Sequence, residues 1–136
     1  MAGAKNMEWK AEYATGIRSI DQQHQIILRY IARFDEAFAD QADWAGVYLL
    51  TLRARTFMEY HFCAEQTLMH LLDIPNAAVH CARNRIALEQ FSTFQRRVHR
   101  DSAGDVLLQP MRQLLLDHVL DGNQLFGDNA LDDSLA

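Results

Sequence analysis

The sequence predicts an all-α protein, an up-down-up-down antiparallel four-helix bundle preceded by an N-terminal arm. Three observations carry that expectation. Only two prolines and six glycines interrupt a chain rich in Leu, Ala, Arg, Gln, Glu and Met, residues that helices accommodate well. Apolar residues recur at three- and four-residue spacing in four stretches of similar length, each with one apolar stripe. The breaks between the stretches are short, so consecutive helices must double back on one another. With 136 residues, 49% of them hydrophobic, the chain fits a single domain over 1–136 with one core, and no repeat or low-complexity segment divides it.

Taken in order, residues 1–16 form the arm: they show no helical period, but Trp9 and Tyr13 should pack it along the domain. The first helix is expected over about 19–39, with Ser19 or Asp21 as cap and Ile17, Ile20, His24, Ile27, Leu28, Ile31, Phe34 and Phe38 inward. Asp43 should cap the second helix, about 44–72, whose inner side carries Val47, Leu50, Ala54, Phe57, His61, Glu65, Leu68 and Leu72. At about 1.5 Å per residue that helix is about 40 Å long, so its partners must be long too. Pro75, in Asp73-Ile74-Pro75-Asn76, ends it and suits the first turn of the next helix. The third helix, about 76–100, presents His80, Asn84, Ala87, Leu88, Phe91, Phe94 and Val98. After a turn at 101–104 the fourth, about 105–126, presents Leu107, Met111, Leu114, Leu115, His118, Leu125 and Phe126. Pro110 falls either in its first turn or at a kink. The acidic tail, 127–136, is expected to be loosely held.

A net charge of −5 and a pI near 5.6 argue against a nucleic-acid or anionic-membrane surface; Arg96, Arg97 and Arg100 are read as a solvated cluster at a helix end. No run approaches the roughly 20 apolar residues of a membrane span, and the first residues lack the apolar core of a signal peptide, so the expected location is the cytoplasm. Cys63 and Cys81 are too few for a disulfide framework; both are read as small buried hydrophobes with free thiols.

The chemistry centres on Tyr60-His61-Phe62-Cys63-Ala64-Glu65. Positions four apart stack on one helix face, so His61 and Glu65 address the same point. His24, His80 and His118 fall on the inward stripes of the other three helices. One histidine on an apolar face is more often a hydrogen-bonded core residue than a ligand. Four with a glutamate are different, because one or two metal ions satisfy together what would otherwise need separate polar partners. Imidazole with carboxylate suits iron, zinc or manganese. His70, half a turn out of phase with His61, and His99, among arginines, are assigned outside the site.

The segments M-E-W-K, I-D-Q-Q-H, Y-H-F-x-x-E, P…H-x-x-x-N and L-L-x-x-H-V-x-x-x-N, in this order and spacing, resemble the bacterial hemerythrins across nearly the whole chain. The resemblance implies a four-helix bundle holding two bridged non-haem irons that bind O2, with no catalytic residues. It makes His24 and His61 ligands of one iron, His80 and His118 ligands of the other, and Glu65 a bridging carboxylate. Where the family has a second histidine four residues after the one matching His80, this chain has Asn84. Where it has a second bridging aspartate, this chain has Asn123; Leu114 and Ile74 replace a tryptophan and a tyrosine.

An amide is a weaker ligand than imidazole or carboxylate, so the His80 and His118 side is depleted while His24, His61 and Glu65 keep a two-histidine, one-carboxylate set suited to Fe(II). Asp121, three residues after His118, is a candidate to lend a carboxylate. Two principal readings stand at this point. The first is a non-haem iron protein that binds or senses O2 or another small diatomic ligand through a di-iron or mononuclear site. The second is a metal-free bundle, its histidines tied to Asn84 and Asn123, acting as a signalling or interaction module with a protein partner. Oxidase or peroxidase-like turnover at an opened iron ranks last, since no substrate pocket is evident in the sequence.

Overall fold

The computed structural model describes residues 8–40, 43–101 and 104–126, with the backbone alone described at 38–40, 44, 99–101, 104–107 and 123–125. Among the described residues there are four α-helices and no strands: α1 (Arg18–Asp40), α2 (Trp44–Leu71), α3 (Ala77–Asp101) and α4 (Gly104–Phe126). No helix is long and apolar enough to cross a membrane. Each helix packs against the next and α4 returns against α1, closing a four-helix bundle in which α2 and α4 also meet.

Local chemistry explains the helix ends. A single 3-10 turn, Ala11–Tyr13, buries Tyr13 against α4, with Trp9 edge-on to its ring. Neither Ser19 nor Asp21 caps α1 as expected from the sequence. Asp21 lies inside the first turn and reaches back to accept from the Thr15 amide and hydroxyl, both at 2.8 Å, while the Thr15 hydroxyl accepts from the Ile17 amide at 3.1 Å. A carboxylate there also complements the helix dipole. Asp43 does cap α2, accepting from the Gly46 amide at 2.8 Å.

The α2–α3 turn depends on two left-handed residues, Asp73 (φ 51°) and Asn76 (φ 63°), types that tolerate this region better than other non-glycine residues. Pro75 therefore sits in the connection and not in the first turn of α3. Pro110 lies inside α4, past its first turn, where it removes one helical hydrogen bond.

The core is in two parts. The larger includes Ile27, Ile31, Phe34, Met58, Phe91, Met111 and Leu115; the smaller is built on Ile17, Ile20, Met69, Ile74 and Phe126. Along α1 His24 falls between Ile20 and Ile27, along α2 His61 and Glu65 fall between Met58 and Met69, and along α4 His118 falls between Leu115 and Phe126. A polar layer thus separates the two apolar clusters.

Candidate metal centre

Three helices deliver the layer. His24 comes from α1, His61 and Glu65 from successive turns of α2, and His118 from α4; the first three are fully buried and the His118 side chain is 9% exposed. Their donor atoms converge. His61 Nε2 stands 3.1 Å from His24 Nε2 and 2.9 Å from His118 Nε2. Glu65 Oε2 stands 3.3 Å from His24 Nε2, 2.8 Å from His61 Nε2 and 2.9 Å from His118 Nε2. One ligand atom from each of the four residues lies within 4.8 Å of all the others.

The neighbours orient these atoms. His61 Nδ1 donates to Gln23 Oε1 at 2.7 Å, which in the neutral ring leaves a lone pair on Nε2 pointing into the layer. Asn84 Nδ2, from α3, donates to Glu65 Oε1 at 3.0 Å and turns Oε2 towards the histidines. Phe57 stacks on His61 with ring planes 11° apart, and Phe62 meets His118 edge-on. His24 Nδ1 is buried without a hydrogen-bond partner among the described residues. Gly122 lies against the same ring: a Cβ there would come within 2.5 Å of His24 Cε1.

Burial governs the charge states. It lowers the His24 imidazole below its usual range and the His61 imidazole to about 4, outweighing the pull of Glu65 on both. Burial alone would raise the Glu65 carboxyl; attraction to His118 and hydrogen bonds from His118, His24 and His61 overcome it and hold the carboxyl well below its usual range. At neutral pH the layer therefore sets a neutral His61 beside an ionised Glu65. With its proton on Nδ1, His61 turns an Nε2 lone pair towards Glu65 Oε2 at 2.8 Å, a contact that a cation between them would satisfy; with the proton on Nε2 the ring donates to the carboxylate instead.

The spacing fits a metal. Two donors bound to one first-row ion at about 2.1 Å lie roughly 3.0–3.4 Å apart, depending on their angle. The contacts of 2.8–3.3 Å overlap that range, three of them falling 0.1–0.2 Å short of it, so a bound ion needs only a slight opening of the layer. Three imidazoles and a carboxylate suit iron, manganese or zinc. The four converging ligand atoms surround a single point, while Glu65 Oε1 points away from it to accept from Asn84.

Of the sequence-derived candidates, His24, His61, Glu65 and His118 form the group and Asn84 touches it. His80 is half-buried on α3 and is not among the converging ligands, so His118 joins His24 and His61 instead of pairing with His80. Asp121 is exposed and outside the group, and the Asn123 side chain lies outside the described residues. His70 is exposed, as its phase required. Cys63 is exposed and Cys81 half-exposed, which corrects their reading as buried hydrophobes; Cys63 lies out of phase with the inward His61 and Glu65. Sequence reasoning missed Gln23 and Gly122. Gln23 had a usable signal, standing next to His24 where a buried imidazole of another helix needs an acceptor, whereas Gly122 had none. No family model matches the chain, and no curated protein matches it either.

Proposed function

We propose that the chain is a hemerythrin-like bundle whose His24, His61, Glu65 and His118 hold one non-haem iron that takes O2 or another small diatomic ligand. The observation that carries this reading is the convergence of three Nε2 atoms and one carboxylate oxygen at metal-ligand spacing in a buried layer. The reading includes an antiparallel up-down-up-down order behind an N-terminal arm. In its support, Asp35 in the second half of α1 pairs with Arg112 in the first half of α4, and Arg55 in the first half of α2 donates to Ser92 in the second half of α3. The choice of iron over zinc or manganese rests on the resemblance of the motifs.

Bound iron supplies a redox-active Lewis acid with room for an exogenous ligand. The chain's own residues prepare that position. Gln23 holds the His61 proton on Nδ1 so that Nε2 stays free, and Asn84 holds Glu65 so that Oε2 faces inward. Phe57, Phe62 and Met58 keep the layer dry, strengthening each electrostatic contact within it. The role is binding or sensing in the cytoplasm, where Cys63 and Cys81 remain reduced, and not substrate turnover.

Protein from iron-fed cells should carry one iron per chain and develop a visible band on exposure to oxygen. Absence of both overturns the reading, and two irons per chain would return a second ion to the His80 side. The metal-free signalling module has its own support, because Asn84 and Gln23 already satisfy Glu65 Oε1 and His61 Nδ1 without an ion. It requires a thermal midpoint indifferent to chelator and to added Fe(II).

A further inference from the structure

Between α2 and α3 the surface opens into a cleft of about 340 Å³, with Glu59, Gln66 and Arg85 among its polar lining and Phe62, Cys63, Cys81, Asn84 and Leu88 making up the rest. Two of these residues form an inner wall one side chain thick. Asn84 donates to Glu65 Oε1 at 3.0 Å, and the Phe62 ring meets the His118 ring edge-on at 4.9 Å between centroids. Behind Phe62 and Leu88 lies a second space of about 10 Å³ with an apolar lining completed by Met58, Ala87, Phe91, Leu114 and Leu115, which holds about one water-sized sphere; Leu114 divides it from the groove between α3 and α4. Phe62 and Leu88 therefore face the cleft on one side and the void on the other. On the α1 side the layer is closed, with Gly122 against the His24 ring.

We propose that the α2–α3 cleft is the port through which small neutral molecules reach the buried centre, with Phe62 and Asn84 as its inner gate. This inference rests on the reading of His24, His61, Glu65 and His118 as a metal centre. The lining selects the class of ligand. A diatomic passes the gate after a small rotamer change of Phe62, whereas an anion, even one drawn to Arg85 at the mouth, would have to shed its hydration shell against the Phe62 ring and meet the Glu65 carboxylate behind Asn84. Cys63 and Cys81 place two thiols in the cleft, so its width can be altered chemically in the folded protein without touching a metal ligand.

The test uses Fe(II)-loaded full-length protein and nitric oxide, followed by stopped-flow absorbance. A bulky aromatic maleimide on Cys63 and Cys81 should slow nitric oxide association about tenfold or more, and a small maleimide less, with iron content unchanged. Leu88→Trp should slow it similarly. Thr93→Trp, which adds the same bulk to the groove between α3 and α4 on the other side of Leu114, should not. The reagent should also have no effect on the Cys63→Ser, Cys81→Ser double variant. The maleimide arm keeps the test decisive if Leu88→Trp fails to fold. Full iron content with an unchanged rate, or equal slowing in Thr93→Trp, overturns the port alone. A chain that binds no iron overturns the metal reading and the port with it.

Discussion

At residue 122 two effects of one methyl group oppose each other. Glycine inside a helix costs about 1 kcal/mol relative to alanine, so propensity alone favours Gly122→Ala. The His24 ring opposes it, because the new Cβ would stand 2.5 Å from Cε1, and that ring is fully buried between α1 and α4. To relieve the clash the imidazole must rotate or α4 must retreat, and either moves Nε2 away from Glu65 and His61. The steric term wins: Gly122→Ala should lower stability by about 1–3 kcal/mol and should also reduce the rise in thermal midpoint given by Fe(II). Melting curves with and without Fe(II) check both parts. A cycle with His24→Ala isolates the contact, since once the ring is gone the alanine should cost nothing.

At the scale of the helices, α1 and α4 are joined twice, by the His24 layer near one end and by Asp35 with Arg112 about three turns further along α1. Arg112 meets both carboxylate oxygens, at 2.7 and 3.3 Å, with the side chains 23% and 15% exposed. Partial exposure screens the pair, so Asp35→Asn should cost about 1 kcal/mol. It should leave iron content unchanged, and metal loss in that variant would mean that the two joints are coupled. The four helices were legible because three- and four-residue spacing marks an apolar face and because Asp43 and Pro75 are strong local signals. The cap of α1 was not, because it is a return contact from Asp21 to Thr15 that spacing does not encode. The site was legible by face and not by depth: phase turned His24, His61, His80 and His118 inward, but which of them meet depends on the relative height of the helices. Gly122 was invisible for a related reason, since its role exists only where another helix touches it.

For the molecule as a whole, the polar layer couples folding to protonation and, on the proposed reading, to metal binding. His61 titrates near 4 in the folded state and near 6.5 when unfolded, so between those values the unfolded chain binds more protons and acid favours it. The stabilising contribution of Glu65, whose folded pKa is depressed, is present above its usual range and is lost as pH falls further, in the same direction. Metal-free protein held in chelator should therefore lose stability steadily as pH drops below about 6.5, by an amount on the order of 3 kcal/mol from His61 alone by pH 4. Adding iron stabilises only the folded state. At a free concentration of about one hundred times the dissociation constant it contributes about 2.7 kcal/mol, a rise of roughly 10 °C for a chain of this size. On the proposed reading iron competes with protons for the same Nε2 atoms, so the gap between loaded and metal-free midpoints should be widest near neutrality and should close as pH falls. A series of melts at stepped pH, with and without Fe(II), reads both slopes at once. A metal-free midpoint unchanged between pH 7 and 5 would contradict the neutral buried imidazole. A constant gap would instead place the bound iron away from these histidines.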